Sequence, residues 1–128
     1  NEIIIASDQI LICENKVISK PKSLQEATKK LLFLRNKVHK LYSSIYVIQK
    51  GKFYFQQVKA ASLSFANIPQ NDIKLYVKNN KKTVLTTVGS YKIEENSKYK
   101  FLNIIDGDRE TILGFPIKDL INKIKNET

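Results

Sequence analysis

The chain opens on an apolar, largely β-branched run over residues 3–12, broken in the middle by Ser7, Asp8 and Gln9. A run of this kind predicts a buried strand. Glu14, Asn15 and Lys16 supply a turn, and residues 17–19 a short return strand. Ser23 and Glu26 then stand in the S-x-x-E spacing of a capping box,. They open a helix with Leu24, Ala27, Leu31 and Leu34 on one face, ending near residues 35–37. Two long runs follow, 40–49 and 53–65, rich in aromatic and β-branched residues and separated by Gln49, Lys50, Gly51 and Lys52. That is the pattern of a hairpin. Pro69 starts a second helix with an apolar stripe of Ile73, Tyr76 and Val77, closed by residues 79–82. Residues 83–95 are mixed, 99–105 read as a strand, and Asp106, Gly107 and Asp108 make a tight turn. After the apolar run 112–115, Pro116 opens a last helix with Ile117, Leu120, Ile121 and Ile124 inward. The order of strand, helix, hairpin, helix, strand and helix predicts one mixed α/β domain over residues 1–128, with no repeat and no linker long enough to divide it.

Composition changes this picture little. The 128 residues are 42% apolar and 27% charged, the balance of an ordinary globular domain,. No apolar run approaches the roughly 18 residues of a membrane span, so no membrane partner is expected. Cys13 has no second cysteine to pair with, which fits a reducing, cytoplasmic setting,. One His and one Cys are too few for a zinc site built from those residues,. The chain starts at Asn1 and runs at once into the first strand, which reads as a domain lacking N-terminal sequence. A lost edge strand would expose a sheet edge, and a homodimer is one expected consequence.

The charge of +10 raises nucleic acid as a partner,. Twenty of the 22 basic residues are lysine, however, scattered and often beside asparagine. Readers of phosphate and guanine edges lean on the planar fork of arginine. A lysine, asparagine and isoleucine bias of coding sequence explains the excess better, so no nucleic-acid partner is expected. The field that remains would still attract polyanions such as nucleoside triphosphates.

Three places interrupt the local pattern with charge. Asp8, followed by Gln9, lies inside the first apolar strand, where an embedded carboxylate costs several kcal/mol unless paired or hydrated. A strand-end Asp capping a backbone amide is the plain alternative. Lys20 follows the return strand, with Pro21 holding it extended. A hairpin there would bring Asp8 and Lys20 to one end of the sheet, either to bind phosphate or simply to form an ion pair. The third place is Gly89, Ser90, Tyr91, Lys92, Ile93 and Glu94. Gly and Ser allow a close backbone approach, Tyr91 offers a ring for stacking, and Lys92 and Glu94 share a face if the segment is extended. A strand with a solvated face is the alternative. His39 has no Asp or Ser pairing of a triad and reads as structural. There is neither a P-loop nor a G-x-G-x-x-G.

Taken in order, these segments resemble the Maf family of nucleoside triphosphate pyrophosphatases, also described as septum-formation inhibitor proteins. Residues 6–11 look like the family strand carrying its essential Asp. Ser19, Lys20 and Pro21 look like its G-K-P motif, with Ser in place of Gly. Residues 34–39 are similar to the segment ending the next helix. Residues 88–94, and the acidic-Gly turn 105–108 followed by L-G-x-P at 113–116, look like its two C-terminal motifs. The resemblance implies a twisted, mixed β-sheet flanked by helices, of the Maf and ITPase-like kind, without the family's N-terminal S-A-S-x-x-R-R phosphate loop. Ser7, Asp8 and Gln9, with Lys92, Ile93 and Glu94, are similar to the S-D-Q and K-x-E of the 7-methyl-GTP branch. The implied reaction is hydrolysis of a nucleoside triphosphate to monophosphate and pyrophosphate, in the house-cleaning of non-canonical nucleotides. Asp8 would be general base or ligand of a divalent cation (Mg2+ or Mn2+), Lys20 would hold phosphate, and Gln9, Lys92 and Glu94 would bind substrate. An inactive remnant of the family, serving as a nucleotide-binding or interaction module, is the alternative.

Overall fold

The computed structural model describes residues 2–128. Strand β1 (Ile3–Cys13) turns through Glu14 and Asn15, both at positive φ, into β2 (Lys16–Ile18). Helix α1 (Leu24–Leu34) begins as its capping residues require, with the Ser23 hydroxyl accepting the Glu26 backbone N–H at 3.1 Å,. Its stripe of Ala27, Leu31 and Leu34 is buried. Strands β3 (Val38–Gln49) and β4 (Lys52–Phe65) form the long hairpin. Helix α2 (Gln70–Asn79) follows Pro69 and buries Ile73, Tyr76 and Val77.

The next stretch departs from its sequence reading. Helix α2 ends at Asn79, within the expected 79–82, but a further helix that the sequence did not mark, α3 (Lys81–Thr86), starts directly after Asn80. Residues 89–94 are not extended: the chain turns, and Ile93–Glu95 is a short 3-10 turn leading into α4 (Asn96–Tyr99). Strand β5 is therefore shorter than expected, Leu102–Asp106. The apolar run near 112–115 belongs to helix α5 (Arg109–Leu113), and α6 (Lys118–Asn126) follows. Short segments of mixed polarity carry no clear period, so their shape comes from what they pack against.

The sheet order is β2-β1-β3-β4-β5, and every pair is antiparallel. The α/β reading, a sheet flanked by helices, is borne out. Along β3 the buried residues are His39, Leu41, Ser43, Ile45 and Val47, all on one face by the two-residue period,. The main core sits over that face, where α1, α2 and α3 cover Leu11, Leu41, Leu63 and Phe65. A second cluster lies further along, where Leu120 of α6 meets Ile45 and Val47. Of the predicted inward residues of α6, Ile121 is instead exposed. The other face of the sheet carries exposed Ile4, Ile10, Tyr46 and Val58. Strand β2 pairs with only the last three residues of β1, leaving the outer edge of residues 3–10 without a ladder partner among the described residues, and residues 3–8, expected in a buried strand, are exposed.

Candidate functional site

Two adjoining hollows gather the three charged places. One of about 280 Å³ is lined by Ser7, Asp8, Lys20 and Thr86 among others. Its neighbour, about 140 Å³, is lined by Leu41, Tyr91, Lys92, Glu94 and Ile112. Gln9, Thr87, Val88 and Leu113 wall both, so together they form one elongated cleft. Segments more than eighty residues apart in sequence thus meet at one surface, Asp8 and Lys20 at one end and Lys92 and Glu94 at the other.

The β1–β2 turn explains the first end. Its register pairs Leu11 with Ile18 and Cys13 with Lys16, so the chain leaving β2 runs back alongside β1 towards Gln9 and Asp8. Pro21 is buried and fixes the exit, while Lys20 beside it is exposed. The Lys30 ammonium donates to the Ser19 carbonyl and ties this exit to α1. Asp8 overturns one expectation: it is exposed, not embedded in apolar surroundings. The physical reason is its register: opposite Ser44, it lies with Ile4 and Ile10 on the sheet face that carries exposed side chains, beside the open edge of β1, so water reaches the carboxylate although both flanks of the strand are apolar,. One carboxylate oxygen accepts the Gln9 backbone N–H at 2.9 Å. Asp8 and Lys20 make no ion pair with each other, so both keep their charge available to the cleft.

Gln9 has a role that its sequence position did not announce. Its Nε2 donates to the Ser43 hydroxyl at 3.1 Å and to the carbonyls of Thr111 and Ile112 at 3.2 and 2.9 Å. Ser43 itself donates to the Thr111 carbonyl at 2.6 Å. Because carbonyls only accept, the orientation of the amide is forced. Its nitrogen grips the end of α5, and Oε1 is the half left without a hydrogen bond among the described residues. At the other end of α5, Asp108 accepts from the Thr111 backbone N–H and hydroxyl at 2.8 and 2.6 Å. Those bonds, and Lys59 at 3.2 Å, hold the Asp108 carboxyl down to about 2. Gly114 ends the helix at φ 93°, a conformation costly to any residue with a Cβ,. The acidic-Gly turn and L-G-x-P motif therefore build a one-turn helix whose end, Leu113 and Gly114, walls the cleft.

At the far end, Lys92 and Glu94 are exposed on the rim. Tyr91 is only 7% exposed and packs against His39 and Phe65. It walls the cleft and has no free face on which a base could stack, which corrects the stacking expectation. Its hydroxyl lies 2.6 Å from His39 Nε2. Burial pushes Tyr91 up and lowers His39 to about 4, so both are neutral near pH 7,. Thr86 and Thr87, at the end of α3, line the middle and were missed. Their hydroxyls donate to the carbonyls of Lys82 at 2.7 Å and Thr83 at 2.8 Å, which leaves the oxygens as acceptors. No local pattern marks them; they reach the cleft because a second short helix, α3, follows the break at Asn80.

A divalent cation was expected at Asp8. Among the described residues no group of three or more His, Cys, Asp or Glu comes together. The donor set is a single exposed carboxylate with one oxygen not engaged by Gln9. That suits an ion held chiefly by substrate phosphates, as Mg2+ commonly is, and not an all-protein cage.

Comparison with known proteins places this geometry in a lineage. The family profile described as Maf-like protein matches residues 1–127. The chain is 33% identical over 123 residues to a nucleoside triphosphate pyrophosphatase of Paramagnetospirillum magneticum, covering 96% of this chain and 63% of that protein. It is 32% identical over 124 residues to a 7-methyl-GTP pyrophosphatase of Bartonella henselae, covering 97% and 62%. A dTTP/UTP pyrophosphatase of Acholeplasma laidlawii is 29% identical over 125 residues, covering 98% and 64%. The chain thus spans a little over three-fifths of the length of these curated relatives.

Proposed function

The chain belongs to the Maf family, and from that membership and the cleft we propose that its protein is a nucleoside triphosphate pyrophosphatase. The observation that carries the reading is the convergence of an unpaired carboxylate and an unpaired ammonium, Asp8 and Lys20, on one hollow continuous with a second that ends in Lys92 and Glu94. A triphosphate bound at the first end would extend its base towards the second.

In this reading a water molecule attacks the substrate beside Asp8, which takes the proton as the new P–O bond forms. The bond between the α and β phosphates breaks, and pyrophosphate leaves the nucleoside monophosphate. Lys20 faces the oxygens on which charge develops, where a fixed ammonium favours the transition state more than the ground state. A divalent ion, held by Asp8 and the phosphates, would supply charge neutralisation across the anhydride. At the other end, Glu94 attracts a cationic N7-methylated purine over a neutral pyrimidine, and Lys92 beside it hydrogen-bonds base or ribose. Gln9 contributes its Oε1 where the two hollows join. The 7-methyl-GTP preference follows from that carboxylate and from the Ser7, Asp8 and Gln9 motif, since relatives of both base preferences match the chain.

The test is release of pyrophosphate from 7-methyl-GTP, dTTP and UTP with Mg2+, using the protein with whatever sequence surrounds this chain. Release from the methylated purine in preference to the pyrimidines is expected. Asp8→Asn is expected to lower turnover by about 100-fold or more, the size of a lost general base. Its thermal midpoint should hold, since the residue is exposed. No release from any of the three refutes the reading, and tight nucleotide binding without release would point to a binding module instead.

A further inference from the structure

Residues 89–94 carry the groups assigned to the base, and buried Ile93 and Tyr91 fix the segment to the core by packing. Gly89 is wedged against the Tyr91 ring, where an added Cβ would lie 2.3 Å from Tyr91 Cε2. Ser90 stands at φ 59°, the left-handed region that a residue with a Cβ rarely adopts, and it is fully buried with its hydroxyl unpartnered among the described residues,. The Ser90 backbone N–H donates to the Thr87 carbonyl at 3.2 Å, a tie only three residues back in the chain, and neither side chain supplies one among the described residues. Tyr91 does: its hydroxyl reaches across the core to His39 Nε2 at 2.6 Å, on the central strand β3. His39 is 1% exposed and its Nδ1 has no partner among the described residues, so this bond is the ring's single polar contact. A half-satisfied imidazole makes a poor core residue, and an apolar side chain of similar shape would fill the space at lower cost. The bond's benefit therefore lies elsewhere than in stability.

We propose that the His39–Tyr91 hydrogen bond is a latch that sets where Lys92 and Glu94 stand on the rim of the cleft, which makes His39 and Tyr91 positioning residues for nucleotide selection. The geometric half of this stands by itself; the consequence for substrate rests on the pyrophosphatase reading. Tyr91 precedes Lys92 directly, and Lys92 caps the turn Ile93–Glu95 that holds Glu94, so a shift of the ring end is passed along the backbone to both rim residues.

Tyr91→Phe keeps the ring and removes the hydroxyl, leaving His39 without its polar contact. Tyr91→Phe combined with His39→Leu removes both polar partners, which costs stability far less than removing one. The thermal midpoint is expected to fall in the single variant and to recover in the double. Amide hydrogen exchange at residues 92–94, measured without nucleotide, is expected to speed up in both. KM for 7-methyl-GTP is expected to rise about tenfold or more in both, with the preference over dTTP reduced, as a displaced binding group predicts. A purely structural pair would show exchange and KM returning with the midpoint in the double variant, and that result overturns the proposal. Unchanged exchange at 92–94 in the single variant overturns it as well. If the unaltered protein neither binds nor cleaves nucleotides, the pyrophosphatase reading fails, while the exchange measurement still decides the latch.

Discussion

Each residue of the cleft owes its chemistry to a local circumstance that its identity does not reveal. Asp8 keeps an exposed carboxylate inside an apolar strand because its register sets it on the exposed face of the sheet, beside an open edge. Glu94 is exposed on the rim at the opposite end from it. If Glu94 attracts the cationic base, Glu94→Gln should reduce the ratio of kcat/KM for 7-methyl-GTP over dTTP by about two- to fivefold, the range of one exposed charge pair. An unaltered ratio would remove Glu94 from base selection. His39 predicts a pH dependence. Its folded value is about 4 against 6.5 in the unfolded chain, because burial disfavours the charged ring. Between those values the unfolded chain binds the extra proton, so stability is complete above about 6.5 and is lost as the pH falls towards 4,. The loss is at most roughly 3 kcal/mol. Denaturant titrations across that window should show the slope, and His39→Leu should flatten it. Asp108, held down to about 2 from 3.8 by Thr111 and Lys59, adds a further loss only below about pH 4.

Elements place these side chains through a few contacts between distant segments. Helix α5 is five residues long and could not persist alone, since isolated helices need roughly 12–15 residues in water,. It is held by its Asp108 cap, its Gly114 stop and the Gln9 amide at its end. Gln9→Ala removes the donor shared by Thr111, Ile112 and Ser43, and is expected to destabilise the protein by about 1–3 kcal/mol. The Leu113–Gly114 wall should loosen with it, so pyrophosphate release should drop more than the stability loss explains. Chemical denaturation and turnover measured on the same variant separate the two. Gln9 shows why a polar residue in a strand is an ambiguous sign: the amide reads as a substrate contact alone until α5 is seen against its nitrogen. Helix α1 is the opposite case, since its cap, its face and its end follow from sequence spacing alone.

Across the whole molecule the lysine excess gives a field that no single pair describes. Four ion pairs are formed, all partly exposed, so most of the positive charge is unpaired among the described residues and open to solvent. A triphosphate should therefore associate faster at low ionic strength, and KM should rise as salt shortens the screening length towards about 8 Å near physiological strength. Salt titration of initial rates checks this; a flat KM between low and physiological salt would confine the electrostatics to Lys20 and its neighbours. The field sets encounter, while selectivity stays with the short-range contacts at the two ends of the cleft.

Apolar runs and periodicity were enough to identify β1, α1, the β3–β4 hairpin, α2 and α6, because the signal for each lies within its own residues, although β1 buries only Leu11 and Cys13 at its end. Charge out of pattern was enough to single out Asp8, Lys20 and the segment 89–94. Local pattern left α3, α4 and α5 illegible, since elements of four to six residues take their shape from neighbours more than from propensity,. It also left open the exposure of Asp8, the grip of Gln9 on α5, the entry of Thr86 and Thr87 into the cleft and the bond between His39 and Tyr91. Each of these joins residues between 34 and 103 positions apart, or depends on which side of a strand stays unpaired. Contacts of that kind exist only after the chain has folded, and no window of neighbouring residues contains them.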